Sequence, residues 1–439
     1  MTTIGIDLGT TNTKAIALAA DGTILCESSH PTEIISVPTG GEMDPKKLAL
    51  DLFDLLREMT AEIRKLTDEP LSAIGLTGMA EAGCLVDLQG EPLTPILLWY
   101  DQRGAAEAEE LRAEHENELT AVSGIRMSNV ATIYKLAYLK KQLPILSGLV
   151  MRWFGVPEWA AWLLTGKHFT DRTLAVRTGA YSLKTGEWSR EVFRIAKLDV
   201  SLFPEIIPAF DQSVLISPEI AAYLGISESV RVVIAGHDDL AAAYGAGLRP
   251  GCWVDSTGTA EGLIALTSPC PPPEQTVRQR MSIAPWYKPD QWALVAGVGT
   301  SGSMLADLKK QTGLDYAAID KTAGQRVPYP ENAVSSELTP QRLAKISFAL
   351  GMTAAQKISA IYDKILTSFS ERVRQISLFA ERPNCLVITG GQARLPELCR
   401  RKSEILGGIP VEARAKPEAA AFGAAKICQD ILQNSSGNQ

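Results

Sequence analysis

Apolar positions along this chain fall into short runs closed by turn residues, with longer stretches of helical spacing between them. Thr3 to Ile6 is the first run, and it ends in Asp7-Leu8-Gly9-Thr10-Thr11-Asn12-Thr13-Lys14. A second run, Ala15 to Ala20, follows at once. Asp21-Gly22 is then a two-residue hairpin signal, and Thr23 to Cys26 is a third run. The succession predicts a β-meander. Residues 46–67 carry apolar positions at helical spacing, while Ala73 to Leu76 and Ala82 to Asp87 read as strands. The charged, Ala/Glu-rich stretch 104–122 reads as an exposed helix, and 130–142 and 156–165 are also helical in pattern.

Arg231 to Ala235 opens a second series. It reads as a strand ending in Gly236-His237-Asp238-Asp239, then a small-residue helix Leu240 to Gly245 and a turn Leu248-Arg249-Pro250-Gly251. Cys252 to Asp255, the polar turn Ser256-Thr257-Gly258-Thr259-Ala260-Glu261 and Gly262 to Leu266 repeat the opening pattern of the chain. Strand, Gly/Thr turn and strand occurring twice suggest two related α/β domains, 1–245 and 246–439. Near the end, Cys385 to Ile388 is a strand, Thr389-Gly390-Gly391 a turn, and Leu395 to Leu406 a helix. A short strand around Val411 and an Ala-rich helix 418–432 follow, and Asn434 to Gln439 reads as a frayed tail.

Composition narrows the class. The 439 residues are 46% hydrophobic with a formal net charge of -7, and no long basic run occurs. Nucleic acid and anionic membrane are therefore poor partners. The first residues have neither a basic nor an apolar leader region, and no apolar stretch approaches membrane-spanning length. The seven cysteines are scattered and never form C-x-x-C, and the four histidines lie far apart. A disulfide framework and structural zinc are both disfavoured, and a reducing cytoplasm fits this usage.

Four motifs carry candidate chemistry. In Asp7 to Lys14, a glycine and several hydroxyls crowd a tight β-turn. Such a turn offers N–H groups and hydroxyls to a phosphate, with Asp7 placed for a Mg²⁺ ion and Lys14 for phosphate charge. An ordinary Thr-rich hairpin explains the same residues. No G-x-x-x-x-G-K-[ST] occurs, which excludes a P-loop. Gly236-His237-Asp238-Asp239 places a carboxylate at a strand-to-helix mouth, where it can take a proton from an alcohol; the bland reading is that one Asp caps the helix. Gly297-Val298-Gly299-Thr300-Ser301-Gly302 matches G-x-G-x-x-G, with Asp315 at nearly the distance of a ribose contact, but it lies late in the chain without a clear βαβ unit. A glycine turn beside a nucleotide is the better reading. Trp99-Tyr100-Asp101-Gln102-Arg103 is either a sugar platform or a half-buried Trp beside a salt-bridged Asp and Arg. Glu81, among small residues, either binds hydroxyls or faces solvent.

Taken in order, these motifs resemble the FGGY family of carbohydrate kinases over nearly the whole chain. Asp7 to Lys14 is similar to the family's first phosphate motif, and Gly41-Glu42-Met43-Asp44-Pro45 to its Glu-x-Asp-Pro segment. Ile74 to Asp87 and Pro95 to Arg103 resemble the substrate-side stretch ending in Trp-x-Asp-x-Arg. Leu163-Leu164-Thr165-Gly166 and Arg177-Thr178-Gly179 through Trp188 match central landmarks. Gly236 to Gly247 resembles the segment with the catalytic Asp, and spacing to Gly245 selects Asp238. Ser256-Thr257-Gly258-Thr259 resembles the second phosphate motif, Gly299 to Ser303 and Gly390-Gly391 the nucleotide turns, and Gly423-Ala424-Ala425 the closing helix. The chain is shorter than typical members, with the difference around 323–345.

The resemblance implies two actin-like (ribonuclease H-like) domains with ATP and a sugar or polyol in the cleft between them. Asp238 would be the general base and Asp7 the Mg²⁺ residue. Thr10, Thr11, Asn12, Lys14, Gly258 and Thr259 would surround the phosphates, and Gly299, Ser303, Gly390 and Gly391 would line the nucleotide. Glu81, Trp99, Asp101 and Arg103, with Asp238, would hold the acceptor. Glycerol kinases grip their triol with an Arg-Glu pair; here the Arg position is Ala80 and Glu81 keeps the acid. The Met-His of ketose kinases is absent, Val130 stands for an enclosing aromatic, and Leu395 for an Asn near adenine. A neutral acceptor of about four to six carbons, phosphorylated at a terminal hydroxyl, is the expectation. A cytoplasmic enzyme follows, with a homodimer among the assemblies allowed. A catalytically silent sugar- or nucleotide-binding regulator on the same fold is the alternative.

Overall fold

The computed structural model describes residues 1–439 except 127, 143–150, 213, 259, 339–342, 415–418 and 438–439, together with the side chains of 435–437. The N-terminal meander is present: β1 (Thr2–Leu8), β2 (Asn12–Leu18) and β3 (Ile24–Pro31) pair antiparallel. Helix α1 (Pro45–Leu66) starts where Asp44 accepts the Lys46 N–H at 2.8 Å with proline in the first turn, and Arg64 and Lys65 occupy its last turn. Its Leu48, Leu52, Leu55, Leu56, Met59 and Ile63 are buried, the one-face spacing that made the helix legible. β4 (Leu71–Gly78) runs parallel to β1, and β5 (Arg231–His237) parallel to β4, giving a five-stranded sheet in the order β5-β4-β1-β2-β3. α2 (Asp238–Gly245) leaves β5 directly.

The second half repeats this wiring. β6 (Cys252–Thr257) and β7 (Glu261–Thr267) pair antiparallel, as do β8 (Met281–Pro285) and β9 (Trp292–Gly299), and β9 pairs antiparallel with β7. Helix α3 (Ser301–Thr312) follows, and β10 (Cys385–Gly390) then lies parallel to β6. After α4 (Pro396–Ile405), β11 (Val411–Arg414) lies parallel to β10. The sheet order is β8-β9-β7-β6-β10-β11. Meander plus two parallel strands, as in the first sheet, is the physical content of the repeat seen in sequence. Because β9 has only antiparallel partners, Gly297 to Gly302 sits in no βαβ unit and the dinucleotide reading falls. Asp315 instead caps the helix Tyr316–Ala323 through the Ala318 N–H at 2.8 Å.

The last helix, α5 (Ala419–Gly437), ties the halves together. It lies on the first sheet, where the Thr3 hydroxyl donates to the Ala425 carbonyl at 3.2 Å. It also packs on α2 so closely that a Cβ at Gly423 would stand 1.8 Å from the Ala241 carbonyl oxygen. Any larger residue there forces the two helices apart. This helix continues through Asn434 to Gly437, which corrects the frayed tail expected there; 438–439 lie outside the described residues. The helix expected at 104–122 spans Ala105–Ser123 but is not wholly exposed: Ala108, Leu119 and Ser123 are buried, and it kinks at His115.

A further sheet of shorter strands, Ile35–Val37, Gly40–Met43, Ile96–Leu97, Gly83–Asp87 and Met151–Gly155, carries the segments expected on the substrate side. Beside it, Glu158 is buried; burial pushes its carboxyl up to about 7 although the Thr170 hydroxyl donates to it at 2.6 Å. The folded chain then holds a proton that the unfolded chain releases near pH ~4.3. Stability from this group is therefore present below that value and lost as pH rises toward 7. Glu158→Gln should flatten the decline in unfolding midpoint between about pH 5 and 7; an unchanged pH slope in urea titrations would remove Glu158 from the account.

Candidate active site

β1, β4 and β5 are parallel and in register, so their C-terminal ends deliver Asp7, Gly78 and His237 to one edge of the sheet. The chain leaves β5 through Gly236 at φ +97, where a Cβ would stand 2.2 Å from the Thr173 hydroxyl. The Thr77 hydroxyl donates to the Gly236 carbonyl at 2.6 Å, and the His237 N–H donates to the Thr173 hydroxyl at 2.9 Å. This clamp sets the direction in which Asp238 points.

Asp238 is the first residue of α2. The helix is capped by His237 without a side-chain bond, so neither Asp238 nor Asp239 is the capping residue that the bland reading requires. One Asp238 oxygen accepts the Asp239 N–H at 2.7 Å and lies 3.1 Å from His237 Nε2. Burial lowers the His237 pKa and so favours the neutral imidazole in this contact. The Asp238 carboxyl is held well above the ordinary range, first by desolvation in the cleft and then by the charges of Asp239, Asp7 and Glu81. A third of its side chain stays open to solvent, enough to meet a ligand.

Asp7 ends β1 opposite Lys14 on β2. The turn between them closes with the Gly9 N–H donating to the Asn12 carbonyl at 3.2 Å, and the Thr32 hydroxyl pins Gly9 from outside at 2.8 Å. Thr11 is exposed, whereas the Thr10 hydroxyl faces Met79 sulfur at 3.9 Å.

Glu81 sits in the loop after β4 at φ +58, a left-handed conformation that a glutamate rarely adopts. It is buried and ion-paired with Arg177 of the 3₁₀ turn Val176–Thr178. A guanidinium thus lies beside Glu81 although the residue before it in sequence is Ala80. Arg177 was legible only as a landmark, because nothing local marks it as a partner of Glu81. Lys135 was not singled out at all: it is fully buried, donates to the carbonyls of Val130 at 2.7 Å and Trp99 at 3.3 Å, and burial pulls it down to about 8. Trp99 is half-buried with Tyr100 edge-on at 5.3 Å. Asp101 is completely buried, its oxygens taken by Arg103 at 2.7 and 2.8 Å and by Thr39 at 3.1 Å. Burial works to raise the Asp101 carboxyl, but the Arg103 bonds outweigh it and leave it below the usual value. Arg103 also binds Glu42. Asp101 and Arg103 thus brace the wall behind Trp99, and their bonds are spent on each other and on Thr39 and Glu42.

In the second sheet, Thr257 pairs with both Glu261 and Gly390, and Glu261 with Gly299, so Gly258, Gly299 and Gly390 share one edge. Thr259 lies outside the described residues. Among the described residues, no atom beyond the chain neighbours lies within 4 Å of where a Cβ would stand at Gly299 or Gly391. The Ser303 hydroxyl is buried, donates to the Thr300 carbonyl at 3.0 Å and accepts the Ala344 N–H at 2.9 Å, so it supports α3 from within. Beneath this edge lies a buried ionic network with no sequence signal. Lys402 of α4 donates to Asp255 at 2.5 Å, to Glu261 at 2.9 Å and to Gln392 at 2.9 Å. Gln392 donates to Glu261 at 3.0 Å and to the Ser301 hydroxyl at 2.5 Å. Strand ends, the α3 N-terminus and the turn after β10 are thereby locked together.

The open backbone at Gly299 and Gly391 fits a nucleotide that approaches main chain closely. Asp7, Asp238 and Asp239 accumulate negative charge, and His237, Asp238 and Asp239 present ligand atoms within 4.8 Å of one another, which suits a divalent cation.

Residues 2–245 match the N-terminal domain, and residues 255–429 the C-terminal domain, of the FGGY family of carbohydrate kinases. L-fuculokinase of Escherichia coli is 30% identical over 59% of this chain, but the match spans only 55% of that protein, so the chain spans about half the length of the curated relatives it first matches. Glycerol kinase of Gloeobacter violaceus is 26% identical over 96% of this chain and 86% of its own. Among solved structures, xylulose kinase from Rhodospirillum rubrum superposes with a TM-score of 0.85 at 23% identity, covering 98% of this chain and 89% of that one. Plasmodium falciparum glycerol kinase with ADP gives 0.84 at 20% identity, covering 99% and 90%. Both solved structures share the actin-like, two-domain fold. Matched across both of its halves, the chain belongs to the FGGY family of carbohydrate kinases.

Proposed function

We propose that this protein transfers the γ-phosphoryl group of ATP to a hydroxyl of a small neutral sugar or polyol, with Asp238 as general base. The observation that carries this reading is Asp238 itself: a carboxylate at a strand-to-helix mouth, partly open, with its pKa raised by burial and by Asp7 and Asp239. A raised pKa brings a carboxylate closer to the operating pH and makes it a stronger base. Asp238 accepts the acceptor's hydroxyl proton as that oxygen approaches phosphorus in line. Thr10, Thr11, Asn12 and Lys14 of the first turn, with Gly258 and Thr259 of the second, surround the phosphates and stabilise developing charge. Gly299, Ser303, Gly390 and Gly391 shape the nucleotide side. Asp7 would hold a Mg²⁺ ion, which would supply neutralisation of phosphate charge.

The acceptor is held by Glu81 and Arg177 against Trp99. A carboxylate only accepts and a guanidinium only donates, so together they match two neighbouring hydroxyls, each donating to one and accepting from the other. A sugar acid would compete with Glu81 for Arg177 and meet its repulsion. Retention of Asp7, Lys14 and Asp238 together disfavours the silent regulator. The test is ADP release from Mg-ATP over a panel of polyols, ketoses and sugar acids: a neutral acceptor should lead, and a leading sugar acid, or no turnover with any member, overturns the reading. Glu81→Ala and Arg177→Met should each raise KM for that acceptor by about tenfold or more, leaving KM for ATP nearly unchanged, because each leaves a hydroxyl unpaired at ~1–3 kcal/mol.

A further inference from the structure

A second cavity, of about 520 Å³, opens at the hinge between the two sheets, at the far end of α2 from Asp238. Eight residues of helix put it roughly 12 Å from the catalytic end, and it shares no lining residue with the site described above. Its floor is aromatic. Trp286 is buried, Tyr244 lies 6.0 Å from it with rings inclined at 36°, and Phe422 of α5 adds a third ring. Its rim is cationic, with Arg249, Lys288, Arg414 and Lys426. Asp430, the one acid among its described lining residues, is already engaged by the Tyr244 hydroxyl at 2.6 Å and Lys426 at 2.7 Å. Arg249 and Arg414 converge over Gly247: a Cβ there would lie 3.8 Å from one guanidinium nitrogen and 3.6 Å from the other. Arg414 also meets Glu412 at 2.8 Å, at an exposed site where such a pair is weak and exchangeable. On a chain of net charge -7, this concentration of cations around aromatic rings runs against the surface average.

From this geometry we infer that the hinge cavity binds a phosphorylated sugar. Converging guanidinium and ammonium groups recognise phosphate oxygens by charge-assisted bonds. Aromatic faces take the C–H-rich side of a sugar ring, and the volume lies in the range that encloses a small metabolite. The walls belong to different bodies. Tyr244, Phe422 and Lys426 sit on α2 and α5, which pack together on the first sheet. Arg249, Trp286, Lys288 and Arg414 belong to the hinge turn and the second sheet. A ligand bridging them favours one angle between the sheets, so it shifts the opening equilibrium and the apparent affinity for ATP.

The test uses the full chain, with ribose 5-phosphate, ribose and inorganic phosphate as probes in calorimetry, on the wild type and on an Arg249→Ser, Lys288→Ser variant. These two side chains are exposed and outside the catalytic machinery, so the melting temperature and turnover without probe should be unchanged. The wild type should bind ribose 5-phosphate at least about tenfold more tightly than the variant, since each lost charge-assisted bond accounts for roughly tenfold. Ribose should bind neither differently, inorganic phosphate should bind more weakly than ribose 5-phosphate, and ribose 5-phosphate should shift KM for ATP in the wild type only. Equal affinity in both proteins, or inorganic phosphate matching ribose 5-phosphate, overturns the assignment. Because binding is read without turnover, failure here is separable from failure of the kinase reading.

Discussion

Asp238→Asn is expected to lower kcat by ~10²–10⁴ while leaving ATP binding and the melting temperature nearly intact. Asparagine keeps the shape and can still accept the Asp239 N–H that Asp238 accepts at 2.7 Å, so the α2 start survives. What is lost is a carboxylate near a helix N-terminus, worth about 0.3–1 kcal/mol to the helix, and the group proposed as the base at this mouth. Asp239→Asn should keep most turnover; the reverse outcome in the two variants would move the base by one residue. The pH profile gives an independent check. Asp238 acts as a base only when deprotonated, and burial with Asp239 and Asp7 nearby raises its pKa. The acid limb of kcat/KM should therefore fall off at a pH above the ordinary aspartate value of ~3.9, with activity lost as pH drops through it.

Lys402→Met should be among the most destabilising single changes in the chain. Lys402 is fully buried and answers two buried carboxylates, Asp255 and Glu261. Removing one member of such a group leaves uncompensated charge and costs about 3–5 kcal/mol. In the wild type, burial pushes Asp255 up to about 7 even against the Lys402 charge. Without the lysine, Asp255 stays buried only by holding a proton. The variant's stability should thus be greatest at low pH and decline as pH rises, because the folded state binds protons that the unfolded state releases. Urea midpoints at about pH 5 and pH 8 read this directly. Adding Asp255→Asn and Glu261→Gln should recover a substantial part of the loss; a triple variant no more stable than Lys402→Met at pH 8 would show that the network's charge is not what holds the second sheet's edge. Where the single variant folds, it should also raise KM for ATP, since Ser301, Gln392 and the ends of β6 and β7 lose their common anchor.

Features set by neighbours in sequence were legible from sequence. The meander, α1, β5 with the carboxylate at its mouth, and the glycine turns at Gly258 and Gly390 rest on period-two runs, helical spacing and turn residues, which act over a few positions. Asp44 and Asp315 cap their helices through bonds two and three residues away. Even the duplicated architecture could be read, because each half spells the same strand-turn-strand order. Pairings between distant segments required the tertiary structure. Arg177 meets Glu81 across the chain, Lys402 meets Asp255 and Glu261 across even longer separations, and α5 returns from the second half to close on β1. In sequence, each of these charges resembles a solvated surface residue, since lysine and glutamate are seldom buried. Only the packing of separate elements removes water from around them, and only then do their pKa values, partners and places in the binding site follow. The sequence determined which turns and strand ends are expected to carry chemistry; the tertiary fold decided which side chains near them stay open and which, like Asp101 and Ser303, are buried in bonds to their neighbours.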